Sequence, residues 1–94
     1  MPAENIDHNL PVTVRYFASV REGLGMGQEM IDLPDTIATV GEFLDWMRSR
    51  GSAYDAALSK ELRVRAAVDR LHANPEASVR NAKEIAIFPM MTGG

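Results

Sequence analysis

The sequence contains no cysteine. This excludes disulfide bonds, thiolate zinc sites and a cysteine nucleophile within its 94 residues. It also has no apolar run of membrane-spanning length, and its N-terminal segment shows neither the basic region nor the apolar region of a signal peptide. We therefore expect a cytoplasmic protein.

Clustered charge and candidate metal ligands are also scarce. The ten Lys and Arg residues are scattered among thirteen acidic residues, and the formal net charge is −3. Nucleic-acid and anionic-membrane surfaces need clustered basic side chains, so the sequence predicts neither partner. His8 and His72 are the two histidines, and neither has carboxylates at metal-ligand spacing. The sequence thus predicts no metal site and no catalytic cluster of its own.

What the sequence does contain is the pattern of one small α+β domain. Period-two segments rich in β-branched and aromatic residues predict strands at 12–18, 28–33, 62–69 and 84–89, with a possible very short strand near Leu71. Between the second and third strands, residues 39–51 have the clearest helical pattern. Its apolar stripe consists of Val40, Phe43, Leu44 and Met47.

Two capping boxes support the helix assignments. Thr39 with Glu42 begins the main helix, and Ser19 with Glu22 predicts a single helical turn between the first two strands, which Gly23 and Gly25 stop. Residues 54–59 predict one further short helical stretch.

The order β-β-α-β-β, with one apolar stripe on one helix, favours a β-grasp arrangement: a mixed sheet of four or five strands packed on one main helix. In such a sheet the first and last strands are neighbours. We expect residues 1–11 to form a flexible N-terminal extension, 12–88 the domain and 89–94 a mobile C-terminal tail.

Two aromatic residues occupy strand positions that the alternation of buried and exposed residues assigns to solvent. Val12, Val14 and Tyr16 form the natural core face of the first strand, which leaves Phe17 on the solvent face. Phe88 has the same position in the last strand. If these strands are neighbours, both rings lie on one exposed face, which is typical of a partner surface.

The chain ends on two glycines, Gly93 and Gly94. Such a terminus has no side chain near its carboxylate, so it can thread a narrow channel and adopt angles that other residues cannot. The six residues after Phe88 can extend roughly 20 Å. A carboxylate is a poor electrophile until it is activated as an acyl phosphate or adenylate. The tail therefore predicts a substrate or carrier on which other enzymes act.

Four segments, "VTVRYFASVREGLG", "TVGEFLDWM", "RAAVD" and "KEIAIFPMMTGG", resemble the molybdopterin synthase small-subunit family of sulfur carriers. The resemblance spans residues 12–94 and implies a ubiquitin-like β-grasp fold. It also implies that Gly94 is adenylated, with ATP used by a ubiquitin-activating-like enzyme, and is then converted to a thiocarboxylate. No bound cofactor is implied.

The resemblance further implies a large-subunit partner, with which the chain forms a heterotetramer. The tail would insert into that subunit and donate sulfur to cyclic pyranopterin monophosphate, which forms the dithiolene of molybdopterin. Phe17 and Phe88 would belong to the contact face. The threading arm would consist of Pro89, Met90, Met91, Thr92 and Gly93. Two alternatives are a sulfur carrier for thiamine or another pathway, and a ubiquitin-like modifier joined to lysines.

Overall fold

A computed structural model describes residues 11–90. Residues 1–10 of the predicted extension and residues 91–94 of the predicted tail lie outside this range. The elements in chain order are β1 (Val12–Tyr16), α1 (Ala18–Leu24), β2 (Gln28–Ile31), α2 (Val40–Arg48), α3 (Ser52–Ala57), a 3₁₀ turn (Lys60–Leu62), β3 (Val64–Val68), β4 (Leu71–Ala73) and β5 (Glu84–Pro89). None of the helices within residues 11–90 is long and apolar enough to cross a membrane.

The five strands form one mixed sheet in the order β2-β1-β5-β3-β4. β1 and β5 are parallel neighbours at its centre, and the other strand pairs are antiparallel. The predicted α+β class, the pairing of first and last strands and the short strand near Leu71 are therefore confirmed.

The core lies between one face of this sheet and the helices. The alternating residues of β1 and β5 point into it, as predicted, and the α2 stripe covers them. The buried set from these three elements is Val12, Val14, Tyr16, Ile85, Ile87, Val40, Phe43, Leu44 and Met47.

Helix α1 differs from its prediction. It has seven residues rather than a single turn, and it begins after Phe17, so the Ser19 side chain caps nothing. The predicted capping box of Ser19 and Glu22 is therefore wrong. Gly23 lies inside the helix, where a Cβ atom would come within 3.1 Å of Ala57 Cβ. This close approach to α3 is a tertiary contact, and only Gly25, with a φ of 75°, ends the helix.

Helix α2 begins as predicted and ends earlier. Its capping box is present, because Glu42 N–H donates to Thr39 Oγ1 and the Glu42 carboxylate accepts from Thr39 N–H, each over 3.2 Å. It ends at Arg48 rather than residue 51, since the Ser49 hydroxyl donates to the Trp46 carbonyl over 2.6 Å and closes the last turn. The helical stretch predicted at 54–59 is α3, which begins at Ser52.

Strand β5 continues past the predicted start of the tail. Pro89 is its last residue and lies opposite Val64 in β3. The Met90 N–H then donates to the Arg63 carbonyl over 3.1 Å, which extends the pairing by one further bond.

A polar cluster lies beneath the end of β1, on the helix side of the sheet. The hydroxyls of Tyr16 and Tyr54 both donate to Glu29 Oε2 over 2.6 Å, and Arg50 Nη1 lies 3.4 Å from the same oxygen. The Arg50 guanidinium also lies over the rings of Tyr54 and Trp46, 4.7 and 5.4 Å from their centroids. The cluster joins β1, β2, α2 and α3.

This environment shifts the pKa values of three side chains. Burial raises the pKa of the Tyr16 phenol, and the hydrogen bond to Glu29 raises it further; the pKa of Tyr54 rises for the same two reasons. Burial alone would raise the pKa of Glu29. Hydrogen bonds from both tyrosines and the Arg50 charge outweigh burial, so the pKa of Glu29 is lower than its ordinary value. Glu29 is therefore an ionised group that the fold stabilises.

We expect Glu29→Gln to lower the free energy of unfolding at neutral pH by about 1–2 kcal/mol, because the amide keeps only part of the charge-assisted hydrogen bonding. Since the pKa of Glu29 is lower in the folded protein, its contribution is complete above its unfolded value near 4.5 and is lost as the pH falls through the folded value. Chemical denaturation at a series of acid pH values should show that the free energies of unfolding of the two proteins converge as the pH falls through the folded pKa of Glu29. Glu22→Gln, at an exposed position of α1, is the control; a pH-independent loss in Glu29→Gln would contradict the assignment.

The turn between β3 and β4 has two residues, Asp69 and Arg70, with φ of 49° and 74°. Both angles are left-handed, as a type I′ hairpin requires. Asp69 tolerates this conformation and its Oδ1 accepts the N–H groups of Lys83 and Glu84, each over 2.9 Å. Arg70 is an ordinary residue at a position that favours glycine.

We expect Arg70→Gly to raise the free energy of unfolding by about 0.5–1 kcal/mol, because relief of left-handed strain exceeds the entropy that glycine gains in the unfolded chain. Urea denaturation measures the change. Arg70→Ala keeps the Cβ atom and should bring no such gain; equal gains in both variants would mean that strain is not the cause.

Candidate functional site

The candidate site is the face of the sheet that points away from the helices, which we call the outer face. Residues of three central strands alternate onto it opposite one another. Thr13 faces Glu84 and Arg15 faces Ala86 across β1 and β5, while Arg65 faces Phe88 across β3 and β5. The helices cover the other face, so this surface is the one on which Phe17 and Phe88 were expected.

The structure places both rings on the outer face. Phe17 is extended, is 41% exposed, and donates its N–H to the Ile87 carbonyl over 3.1 Å, so it lies beside the Phe88 position. Phe88 is half-buried, and the edge of the His72 ring meets it at 5.5 Å between centroids. The Arg15 guanidinium carbon lies 5.6 Å from the Phe17 centroid.

The centre of the outer face is flat and the charges surround it. Ala86 and Ala67, directly opposite each other in β5 and β3, carry only methyl groups between the larger side chains. Among the strand residues on this face, Arg15, Arg65 and Glu84 are charged, and Arg15 Nη1 lies 4.0 Å from Glu84 Oε1. An apolar centre with a charged rim is the arrangement of a protein-binding surface.

Sequence reasoning did not include Arg65 and His72 in this surface. The signal for Arg65 was present, because it alternates with Val64 and Ala66, which are buried. His72 could be placed only once β4 was paired with β3, where it lies opposite Ala67.

The predicted tail begins next to this surface. Met90 is exposed and bonded to Arg63, one residue before β3 and two before Arg65. Met91, Thr92, Gly93 and Gly94 follow Met90 in sequence and lie outside the described residues. Whatever those residues do, they start from the end of the sheet at which Phe17 and Phe88 lie.

No second site competes with the outer face in residues 11–90. That part of the chain has no group of three His, Cys, Asp or Glu residues able to hold a metal ion. An open depression lies at the other end of β1 and β5, lined by residues such as Val12, Leu33, Ile37 and Lys83. It has no cluster of groups suited to catalysis.

Comparisons with known proteins agree with the fold and with the resemblance. The ThiS family model matches residues 14–94. A molybdopterin synthase sulfur carrier subunit from Haemophilus influenzae is 32% identical over 83 residues, which cover 88% of this chain and 99% of that protein.

Two solved structures share the fold at lower identity. A putative molybdopterin converting factor subunit 1 from Pyrococcus furiosus has a TM-score of 0.68 at 21% identity, covering 87% of this chain and 99% of that one. SAMP1 from Haloferax volcanii has a TM-score of 0.65 at 24% identity, covering 89% and 99%. The ubiquitin-like β-grasp fold is thus confirmed, as is the resemblance to molybdopterin synthase small subunits, and the chain belongs to the ThiS family.

Proposed function

We propose that this chain is the sulfur carrier subunit of a molybdopterin synthase and works in the cytoplasm. Its support is the similarity to a protein of that name over nearly the whole length of that protein, together with the Gly-Gly terminus. In this proposal the chain supplies no catalytic group of its own: it carries sulfur on its terminus between an activating enzyme and the synthase large subunit.

The chemistry begins at the Gly94 carboxylate. An activating enzyme of the ubiquitin-activating type joins it to AMP from ATP and releases pyrophosphate. A sulfur donor then displaces AMP and leaves a thiocarboxylate. In the large subunit the thiocarboxylate sulfur bonds to a carbon of cyclic pyranopterin monophosphate, and water then cleaves the bond between this sulfur and the Gly94 carbonyl carbon, which leaves the sulfur on the pterin and restores the carboxylate. Each step needs a terminus without side chains near its carboxylate, and the sequence ends on Gly93 and Gly94, which have none.

The structural observation that carries the proposal is that Phe17 and Phe88, on the outer face, lie at the same end of the sheet as the start of the tail. The ring of Phe17 lies beside the position of Phe88, and β5 ends one residue after Phe88. A partner docked on these rings is therefore close to the point from which residues 91–94 leave. Four residues span at most about 13 Å, so the partner's reactive centre has to lie within that reach. These four residues are Met91, Thr92, Gly93 and Gly94, and Pro89 and Met90, the first residues of the proposed threading arm, lie at the end of the paired region.

A thiamine-pathway carrier and a protein modifier would use the same terminus. They differ in what becomes attached to Gly94: sulfur in either carrier, a lysine amine in the modifier. The two kinds of carrier differ in the molecule that accepts the sulfur. The similarity to a molybdopterin synthase subunit over nearly its whole length favours the molybdopterin carrier over the thiamine-pathway carrier.

We expect intact-mass analysis of the protein isolated from its own cells to find a species with one terminal oxygen replaced by sulfur. Deletion of Gly94 should remove that species and stop molybdopterin formation, while leaving the circular dichroism spectrum unchanged. Adducts on lysines of other proteins, without the sulfur species, would instead indicate the modifier. A deletion variant that still supports molybdopterin formation would refute the proposal.

We expect Phe88→Ala to weaken binding to the synthase large subunit by about 1–3 kcal/mol, because truncation of a packed aromatic anchor removes contact area at the centre of an interface. Isothermal titration calorimetry gives the affinity. Leu71→Ala is the matched control, since Leu71 is 73% exposed but lies on the opposite face of the sheet, across from Val68. Equal losses of affinity in Phe88→Ala and Leu71→Ala would mean that Phe88 is not part of the interface.

A further inference from the structure

Arg65 has an unusual position on the outer face. It is the second residue of β3 and lies directly across from Phe88 of β5, next to the end of the sheet where the tail begins. Its neighbours in β3, Val64 and Ala66, are buried in the core, so the Arg65 side chain extends from the outer face and is exposed. A long cationic side chain therefore lies beside Phe88 on the outer face.

The other arginine of this face already has partners. The Arg15 guanidinium lies over the Phe17 ring at 5.6 Å and is 4.0 Å from Glu84. The Arg65 side chain, in contrast, has no hydrogen bond, ion pair or ring contact with any residue in 11–90. Because Arg65 is exposed, its five guanidinium N–H donors are available to a partner.

Docking on Phe17 and Phe88 would remove water from Arg65 as well. An arginine that loses its hydration without gaining a partner costs several kcal/mol. The planar guanidinium matches a carboxylate through two parallel hydrogen bonds, and such pairs make arginine frequent among residues that dominate binding energy. An apolar or basic surface opposite Arg65 would therefore oppose binding to this end of the outer face.

We propose that Arg65 is a specificity-determining residue of this chain, and that the large subunit to which it binds presents a carboxylate opposite it, next to an apolar patch over Phe17 and Phe88. This inference rests on the proposed function. It goes beyond it by stating the chemistry of the partner's surface. A large subunit with an apolar side chain at that point is a poor partner for this chain, although the same aromatic rings are available to it.

The test compares Arg65→Leu with the unchanged protein in binding to the large subunit from the same organism. Leucine keeps an apolar side chain beside Phe88 in place of the arginine stem, so the variant loses the charge and the N–H donors but retains part of the contact area. We expect at least a tenfold loss of affinity, because a partner carboxylate would be buried without its arginine. The unchanged pair should also lose more affinity on addition of salt than the variant pair does.

Arg80→Leu is the control: Arg80 is exposed in the loop before β5, at the other end of the sheet, and its removal should leave the affinity unchanged. Thermal melts establish that both variants fold. If Arg65→Leu binds the large subunit as tightly as the unchanged chain or more tightly, the inference is wrong. The proposed function would still hold, provided that the unchanged chain binds the large subunit and carries sulfur. If the unchanged chain neither binds the large subunit nor gains sulfur at its terminus, the proposed function fails and this inference fails with it.

Discussion

The parallel pairing of β1 with β5 is the constraint on which the rest of the structure depends. It joins the first and last described strands at the centre of the sheet, so the chain between them has to cross the sheet and return. Helix α2 lies in that crossover and covers the core face, while β2 and β3 add on either side. Loop closure over so many residues costs entropy before any contact is gained, and the buried valines and isoleucines of the two strands offset it.

The same pairing assembles the outer face. Because side chains alternate along each strand, the burial of Tyr16 and Ile87 in the core puts Phe17 and Phe88 on the other side of the sheet. Beneath Phe17, the hydrogen bonds of Tyr16 and Tyr54 to Glu29 hold β1 against β2 and α3. The aromatic surface thus rests on a backbone that is fixed from the core side, which favours binding with little rearrangement.

Much of this was predictable from local patterns, since alternation, an apolar stripe and a capping box each depend on a few neighbouring residues. Strand positions, the start of α2 and the shared face of Phe17 and Phe88 belong to this group. The length of α1 was not predictable, because it depends on Gly23 meeting Ala57 of another helix. Glu29 likewise occupies a core-facing position that is unfavourable for a carboxylate unless residues distant in sequence provide hydrogen-bond donors, as Tyr16 and Tyr54 do. The role proposed for Gly94 rests on chemistry and resemblance, since residues 91–94 lie outside the described structure.

The two edge strands are short: β2 has four residues and β4 has three. A protein that recruits partners by strand addition offers a long row of free backbone groups, which almost any extended peptide can match. This sheet offers little of that kind of adhesion. Recognition is left to the side chains of its broad surface, so a few substitutions there could redirect the chain to a different partner while the fold remained the same.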